Sequence, residues 1–146
     1  MQPGVTKADT GLNGHSWTVV GHTYVPKLKS EDAFIWHATI PDGTFVPPHI
    51  HPTQDEWIYL IEGNLEVEFG AEVVRAGPGD TVRMPMGVAH GIFNRSGKTA
   101  RCVFGVSPTR KLYELFMVLD GVTDPAELVR LSALHEVDFL PPPEAA

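Results

Sequence analysis

Three histidines and one glutamate in this chain have the spacing of metal ligands on β-strands. His49 and His51 are separated by one residue, Glu56 follows after the short segment 52–55, and His90 comes later in the chain. Side chains two residues apart on a strand point to the same face, and a turn can return Glu56 to that face. Three nitrogen ligands and one oxygen suit a divalent ion such as iron, manganese, nickel, cobalt or zinc. The spacing therefore predicts a metal site formed by these four residues.

A metal site with four protein ligands leaves room for chemistry. An octahedral ion would keep two open positions, and open positions are typical of catalytic rather than structural sites. They would hold an enolate, phenolate or diketone oxygen together with dioxygen or water, and the ion would stabilise the substrate anion. Glu56 either remains a ligand or acts as a catalytic base, which requires its pKa to rise in an apolar cavity. The alternative, a buried polar cluster without metal, would cost several kcal/mol.

The composition indicates one globular domain and argues against two kinds of partner. The chain has 146 residues, of which 42% are apolar and 20% charged, which is enough for one domain with a core. Its net charge of −7, without a cluster of lysines and arginines, argues against nucleic-acid binding. No stretch approaches the roughly 20 apolar residues of a membrane span, and the N-terminus lacks a signal-peptide pattern. We therefore expect a cytoplasmic protein. Cys102 is the only cysteine, which excludes an internal disulfide.

Short apolar runs separated by glycine and proline predict an all-β fold. The chain contains 14 glycines and 13 prolines, and most of them fall between the runs, as in sandwiches and barrels. The β-branched and aromatic run at 34–40 is the clearest strand, and Gly63-Asn64 predicts a hairpin turn. Strands are predicted at 17–19, 23–25, 34–40, 56–62, 65–69, 73–75, 81–84, 91–94 and 101–106.

The C-terminal part changes to helical patterns. The first predicted helix has an apolar stripe formed by Leu112, Leu115, Phe116 and Leu119. The second begins with Asp124 as N-cap and Pro125 at its first position, and its apolar face is predicted to contain Leu128, Leu131 and Leu134. We expect both helices to cover an open edge or face of the β-structure. Residues 1–14 are expected to form a flexible N-terminal arm, 15–140 a single domain that includes the helices, and 141–146 a disordered tail.

The two stretches that carry the ligands resemble the two sequence motifs of the cupin superfamily. The first is Gly43, five residues, His49-x-His51, four residues, Glu56, six residues and Gly63. The second is Gly79, five residues, Pro85-x-Gly87, two residues, His90, three residues and Asn94. The resemblance implies a cupin barrel, also described as a double-stranded β-helix or jelly roll, with a C-terminal helical cap. A divalent metal would lie inside it, held by His49, His51, Glu56 and His90.

The resemblance extends to the small single-domain cupins that are similar to quercetin 2,3-dioxygenase, partly through Gln54-Asp55-Glu56 and the helical C-terminus. It implies a metal-dependent dioxygenase acting on a small enolisable or phenolic substrate, such as a flavonol or diketone. Two alternatives remain open. One is a cyclase, isomerase or lyase that uses the metal only as a Lewis acid, and the other is a cupin that binds a small molecule without converting it.

Strand parity and surface patterns give two further expectations. Ile58, Leu60 and Ile92 should line the substrate cavity, and His37 is a candidate for the same cavity, whereas His15, His22 and His135 are expected at the surface. We also expect a homodimer, because the aromatic and apolar strand 34–40 would leave hydrophobic surface or an unpaired edge uncovered. A monomer covered by the two helices is the alternative.

Overall fold

Two antiparallel β-sheets surround one apolar core in the computed structural model, which describes residues 1–142. The six-stranded sheet has the spatial order β1 (Trp17–Val19), β2 (His22–Lys29), β3 (Phe34–Ile40), β10 (Ala100–Ser107), β5 (Asp55–Glu62) and β8 (Thr81–Met84). The five-stranded sheet has the order β11 (Asp138–Phe139), β4 (Phe45–Ile50), β9 (His90–Phe93), β6 (Leu65–Phe69) and β7 (Glu72–Ala76). The predicted all-β class is thereby confirmed.

Strand β3 shows how alternation in the sequence builds the core. Phe34 and Trp36 are buried, whereas the residues between them are only partly covered. His37 belongs to this second set, on the face opposite the core, so the structure does not place it in the cavity. Because β3 pairs with both β2 and β10, it is not an unpaired edge, and the edge argument for a dimer does not apply to it. The homodimer itself stays a prediction.

Strand β4 carries His49 and is absent from the strands predicted by sequence pattern. It contains Pro47 and Pro48, which lack the N–H that a regular ladder uses and which therefore argue against a strand. The structure accommodates them where the register of β4 against β9 shifts, between Val46 and His49. After this irregularity, His49 is again paired, directly opposite His90.

The turn at Gly63 is not a hairpin, which corrects the prediction. β5 pairs with β10 and β8, whereas β6 pairs with β7 and β9, so the chain passes from one sheet to the other at this turn. Gly63 has a φ of 81°, and a Cβ there would lie 2.8 Å from the Cα of Ala100. The positive φ suits both a hairpin and a crossing between sheets, so the local sequence could not distinguish them.

Two helices follow the last long strand, α1 (Leu112–Leu119) and α2 (Pro125–Leu134). The predicted apolar stripe of α1 is confirmed, since all four of its residues are buried. The predicted start of α2 is also confirmed, because the Asp124 side chain accepts a hydrogen bond from the Ala126 N–H at 3.2 Å. The predicted apolar face of α2 is wrong at Leu134, which is 60% exposed. None of the helices within residues 1–142 is long and apolar enough to cross a bilayer.

Lys27 links the N-terminal residues to the barrel. The Lys27 ammonium group donates hydrogen bonds to the backbone carbonyls of Lys7, at 2.6 Å, and Thr10, at 2.7 Å. A short 3-10 helix, Leu12–Gly14, follows. The flexibility of this arm stays a prediction. Of the tail predicted at 141–146, residues 143–146 lie outside the described residues.

His22 lies in the core, not at the surface as predicted. Its side chain is fully buried, and Nδ1 lies 3.0 Å from the hydroxyl of Tyr24. Burial lowers the pKa of His22 to about 4, so the imidazole is neutral at pH 7. Burial likewise raises the pKa of the Cys102 thiol to about 12, which agrees with an unreactive core cysteine.

Candidate metal centre

His49, His51, Glu56 and His90 come together between the two sheets. Each offers one ligand atom, and these four atoms lie within 4.8 Å of one another. His49 and His90 belong to paired strands of the five-stranded sheet, His51 follows β4 directly, and Glu56 belongs to β5 of the six-stranded sheet. All four side chains are buried, with exposed fractions of 5% or less. The cluster is therefore able to hold a metal ion, and its residues are those that the sequence singled out.

The three histidines are oriented by acceptors on their outer nitrogen. Nδ1 lies 2.8 Å from the Pro47 carbonyl oxygen in His49, 2.8 Å from Gln54 Oε1 in His51, and 3.3 Å from the Val88 carbonyl oxygen in His90. Because a carbonyl or amide oxygen can only accept, each Nδ1 carries the proton. A neutral imidazole with its proton on Nδ1 keeps the lone pair of Nε2, which is the arrangement found in metal-binding histidines. In His90, Nε2 lies 2.9 Å from Glu56 Oε1, so it must give up this hydrogen bond in order to bind a metal ion.

The side-chain amide of Gln54 is held in one orientation by the backbone, and it in turn orients His51. Its Nε2 donates to the backbone carbonyls of Pro108, at 3.1 Å, and Thr109, at 2.7 Å, so its oxygen must face His51. The sequence analysis did not assign this role to Gln54. Its position, three residues after the candidate ligand His51, was the one signal that could have indicated it.

The charges of the cluster favour a bound cation. Burial, assisted by the positive charges of His90 and His51, lowers the pKa of His49 to about 3. Burial by itself would raise the pKa of Glu56, but the charge of His51 and a hydrogen bond at 2.9 Å from His90 outweigh it and lower the pKa to about 2. A neutral imidazole and an ionised carboxylate are the forms that bind metal. This balance keeps Glu56 ionised at pH 7, and its role as a catalytic base stays a prediction.

Gln54→Ala is expected to weaken zinc binding by about 10- to 100-fold, because His51 loses the acceptor that holds its tautomer and ring orientation. Isothermal titration of the metal-free protein with Zn²⁺ measures the affinity, and circular dichroism checks that the variant is folded. Gln2→Ala, at an exposed glutamine, is the matched control. An unchanged affinity in folded Gln54→Ala would show that the hydrogen bond to His51 is unimportant for the site.

A mainly apolar cavity of about 50 Å³ adjoins the cluster, between the barrel and the helical cap. This volume holds roughly three to five water molecules at about 10–15 Å³ each. His49, His51 and Glu56 lie in its wall, and Ile92 lines it as the sequence predicted, whereas Ile58 and Leu60 are buried elsewhere in the core. The remaining lining residues are Val19, Val20, Tyr24, Trp36, Val46, Phe104, Leu112, Leu115, Phe116, Leu119, Leu128, Ser132, Val137 and Phe139.

Most of these lining residues were missed by the sequence analysis. Strand parity places Trp36 and Phe104 inside the barrel, but it does not show that they border the cavity rather than the packed core. The contribution of α1 and α2 depends on where the cap docks. The helices that were expected to cover the β-structure thus also form one wall of the cavity.

Comparison with known proteins agrees with this fold. Residues 36–106 match the family model of the cupin domain. A solved structure, KdgF from Halomonas sp., superposes with a TM-score of 0.62 at 24% sequence identity, over 72% of this chain and 99% of that one. The β-structure therefore has the double-stranded β-helix fold, and residues 36–106 are similar to the cupin domain. The buried cluster is a candidate metal centre within this part of the chain.

Two curated relatives from Streptomyces carry names connected with polyketide synthesis. The chain is 37% identical over 94 residues to the tetracenomycin polyketide synthase protein TcmJ of Streptomyces glaucescens, covering 64% of this chain and 63% of that protein. It is 31% identical over 75 residues to the polyketide synthase CurC of Streptomyces cyaneus, covering 51% of this chain and 49% of that protein. The similarity thus spans about half to two thirds of these relatives. The narrower resemblance to quercetin 2,3-dioxygenase-like cupins stays a prediction.

Proposed function

We propose that this protein is a metal-dependent enzyme that cyclises or isomerises a polyketide-like, enolisable substrate without net oxidation. The observation that carries the proposal is the position of His49, His51 and Glu56 in the wall of a mainly apolar cavity. A metal-ligand cluster that borders a cavity can act on a ligand in that cavity, whereas a closed structural site cannot. The names of the two Streptomyces relatives support a polyketide as the substrate class.

The cavity wall suits an aromatic or poly-β-carbonyl chain. Trp36 and Phe104 are stacked with ring centroids 5.2 Å apart, and Tyr24 lies beside them. Such side chains bind flat, weakly polar molecules by burying their apolar surface and by offset stacking of the rings. Lysine and arginine, which would bind a phosphate, are absent from the lining residues. The cavity therefore favours a neutral substrate whose oxygens can approach the ligand cluster.

The residues of the cluster would orient and ionise the substrate. A bound divalent ion would act as a Lewis acid, lowering the pKa of an enolisable carbon acid and stabilising its enolate. Glu56 has one carboxylate oxygen 2.9 Å from His90 Nε2 and the other 3.7 Å from His51 Nε2. With two oxygens, Glu56 can supply negative charge to the cluster and still accept a proton from the substrate carbon. The apolar cavity excludes bulk water from the enolate.

A dioxygenase acting on the same class of substrate is the second candidate. The observation in its favour is the ligand set of three nitrogens and one oxygen, which holds iron, manganese or nickel as well as zinc. Such an enzyme would consume dioxygen and oxidise the substrate. A cupin that binds the molecule without converting it is the third possibility, and it requires only the cavity.

An aryl 1,3,5-triketone distinguishes these functions. A 1-aryl-1,3,5-hexanetrione can cyclise when the carbon at position 6 attacks the carbonyl carbon at position 1 and closes a six-membered ring. Loss of water and enolisation then give an aryl resorcinol, with no oxidant consumed. We expect zinc-loaded protein to form the cyclised, dehydrated product under nitrogen at the same rate as in air. Mass spectrometry identifies the product, and an oxygen electrode follows dioxygen. Turnover that requires dioxygen and a redox-active metal would overturn the cyclase in favour of the dioxygenase, and binding without any product would favour the third possibility.

A further inference from the structure

The helix α2 buries one side chain, and that side chain is polar. Ser132 is 1% exposed and is the buried residue of this helix. It lines the cavity together with Leu128, which lies one helical turn earlier. Its hydroxyl oxygen has no hydrogen-bond partner within the described part of the chain. Buried hydroxyls are normally paired, because an unsatisfied one costs free energy, so an unpaired hydroxyl beside a cavity requires an explanation.

A second unpaired polar group lines the same cavity. Trp36 is 1% exposed, and its indole nitrogen also lacks a partner among residues 1–142. Tyr24, the neighbouring polar side chain of the wall, differs because its hydroxyl is paired with His22 Nδ1 at 3.0 Å. Two side chains that line the cavity, one on a barrel strand and one on the cap helix, therefore carry unused hydrogen-bonding groups in surroundings that are otherwise mostly apolar.

We propose that the Ser132 hydroxyl and the Trp36 N–H bind oxygen substituents of the substrate, apart from the oxygen held at the metal centre. The inference rests on the proposed function and names the substrate more closely, as an aromatic or poly-β-carbonyl molecule with at least two oxygen functions. The indole can only donate, so its partner must be a carbonyl or phenol oxygen, whereas the serine hydroxyl can donate or accept. Ser132 is thus a specificity-determining residue on the cap.

A ring-sized ligand needs more room than the present cavity provides. The other inward residues of α2, Leu128 and Leu131, are only partly buried against the core, so an outward shift of this helix would expose these two leucines together with Ser132. The same helix would then carry its hydroxyl to the ligand when it closes. The position of α2 would in this way determine whether the Ser132 hydroxyl reaches the substrate.

The test compares naphthalene probes that differ in one hydroxyl. Zinc-loaded wild type and Ser132→Ala are titrated calorimetrically with 2-naphthol and with 2,3-, 2,6- and 2,7-dihydroxynaphthalene. We expect Ser132→Ala to bind at least one diol about tenfold more weakly while its affinity for 2-naphthol is unchanged. Trp36→Phe, which keeps an aromatic ring, should also weaken a diol more than 2-naphthol. Thermal unfolding of Ser132→Ala should occur at the same or a higher temperature, because no hydrogen bond is lost.

Ser107→Ala is the matched serine control. The Ser107 hydroxyl donates to the Asp32 carbonyl at 2.8 Å and does not line the cavity, so its removal should lower the unfolding temperature and leave every affinity unchanged. If all diols bind Ser132→Ala as tightly as wild type while 2-naphthol also binds, the role of Ser132 is overturned and the proposed function is not. If no probe binds wild type, both are overturned.

Discussion

His49→Ala, His51→Ala and His90→Ala are each expected to abolish retention of the metal ion, with a loss of affinity greater than about 100-fold. Replacing an orienting hydrogen-bond partner typically costs 10- to 100-fold, so removing a ligand should cost more. Each of these histidines offers a ligand atom within 4.8 Å of the other three and has its outer nitrogen already bonded. Elemental analysis after gel filtration and titration with Zn²⁺ measure the loss.

His37→Ala is the control for this prediction, because His37 lies on the outward face of β3 and outside the cluster. It should retain metal as wild type does. Circular dichroism and thermal unfolding must show that the ligand variants are folded, since each removes a buried ring. A folded His49→Ala protein that keeps a full equivalent of tightly bound metal would refute the assignment of the centre.

Glu56→Gln is expected to lower turnover by about 10²- to 10⁴-fold, the range typical for loss of a general base, and to weaken metal binding. The amide keeps the size of the side chain but removes its negative charge and its capacity to accept the substrate proton. The low pKa of Glu56, about 2, means that the wild-type carboxylate is ionised at pH 7. Turnover of the triketone and the metal content of the same sample separate the catalytic effect from metal loss.

Glu62→Gln serves as the control on the same strand. Glu62 is exposed, and its carboxylate lies 3.6 Å from Arg101 Nε at the surface. A surface ion pair of this kind contributes little, so metal content and turnover should be unchanged. If Glu56→Gln retained full metal and undiminished turnover, Glu56 would be neither a required ligand nor the base.

Local sequence was sufficient for several features of this protein. The β-branched and aromatic residues of 34–40 identified strand β3, and the stripe Leu112, Leu115, Phe116 and Leu119 identified α1. The candidate ligands were identified because two-residue spacing on a strand places His49 and His51 on one face, independently of the rest of the fold. The spacing of the second motif then singled out His90. These features depend on periodicities of a few residues, which a single sequence displays directly.

Other features depend on which segments meet, and the sequence did not display them. Gly63 has the same positive φ in a hairpin and in a crossing between sheets, and only the pairing of β5 with β10 and β8 distinguishes the two. Because of its prolines, β4 was not predicted as a strand. In the structure it pairs with β9 and β11, and an irregular register against β9 accommodates the prolines. His22 was predicted at the surface, and only the tertiary structure shows that it is buried in the core beside Tyr24.

The cavity is the clearest case of a feature decided by tertiary structure. Its walls come from barrel strands and cap helices that are far apart in the chain, and Ser132 faces it only because α2 docks over the barrel. The sequence pattern placed Leu134 on the apolar face of that helix and did not indicate a role for Ser132. Hydrophobic periodicity indicates that a helix is amphipathic, but the side that is buried is fixed by the surface against which the helix packs.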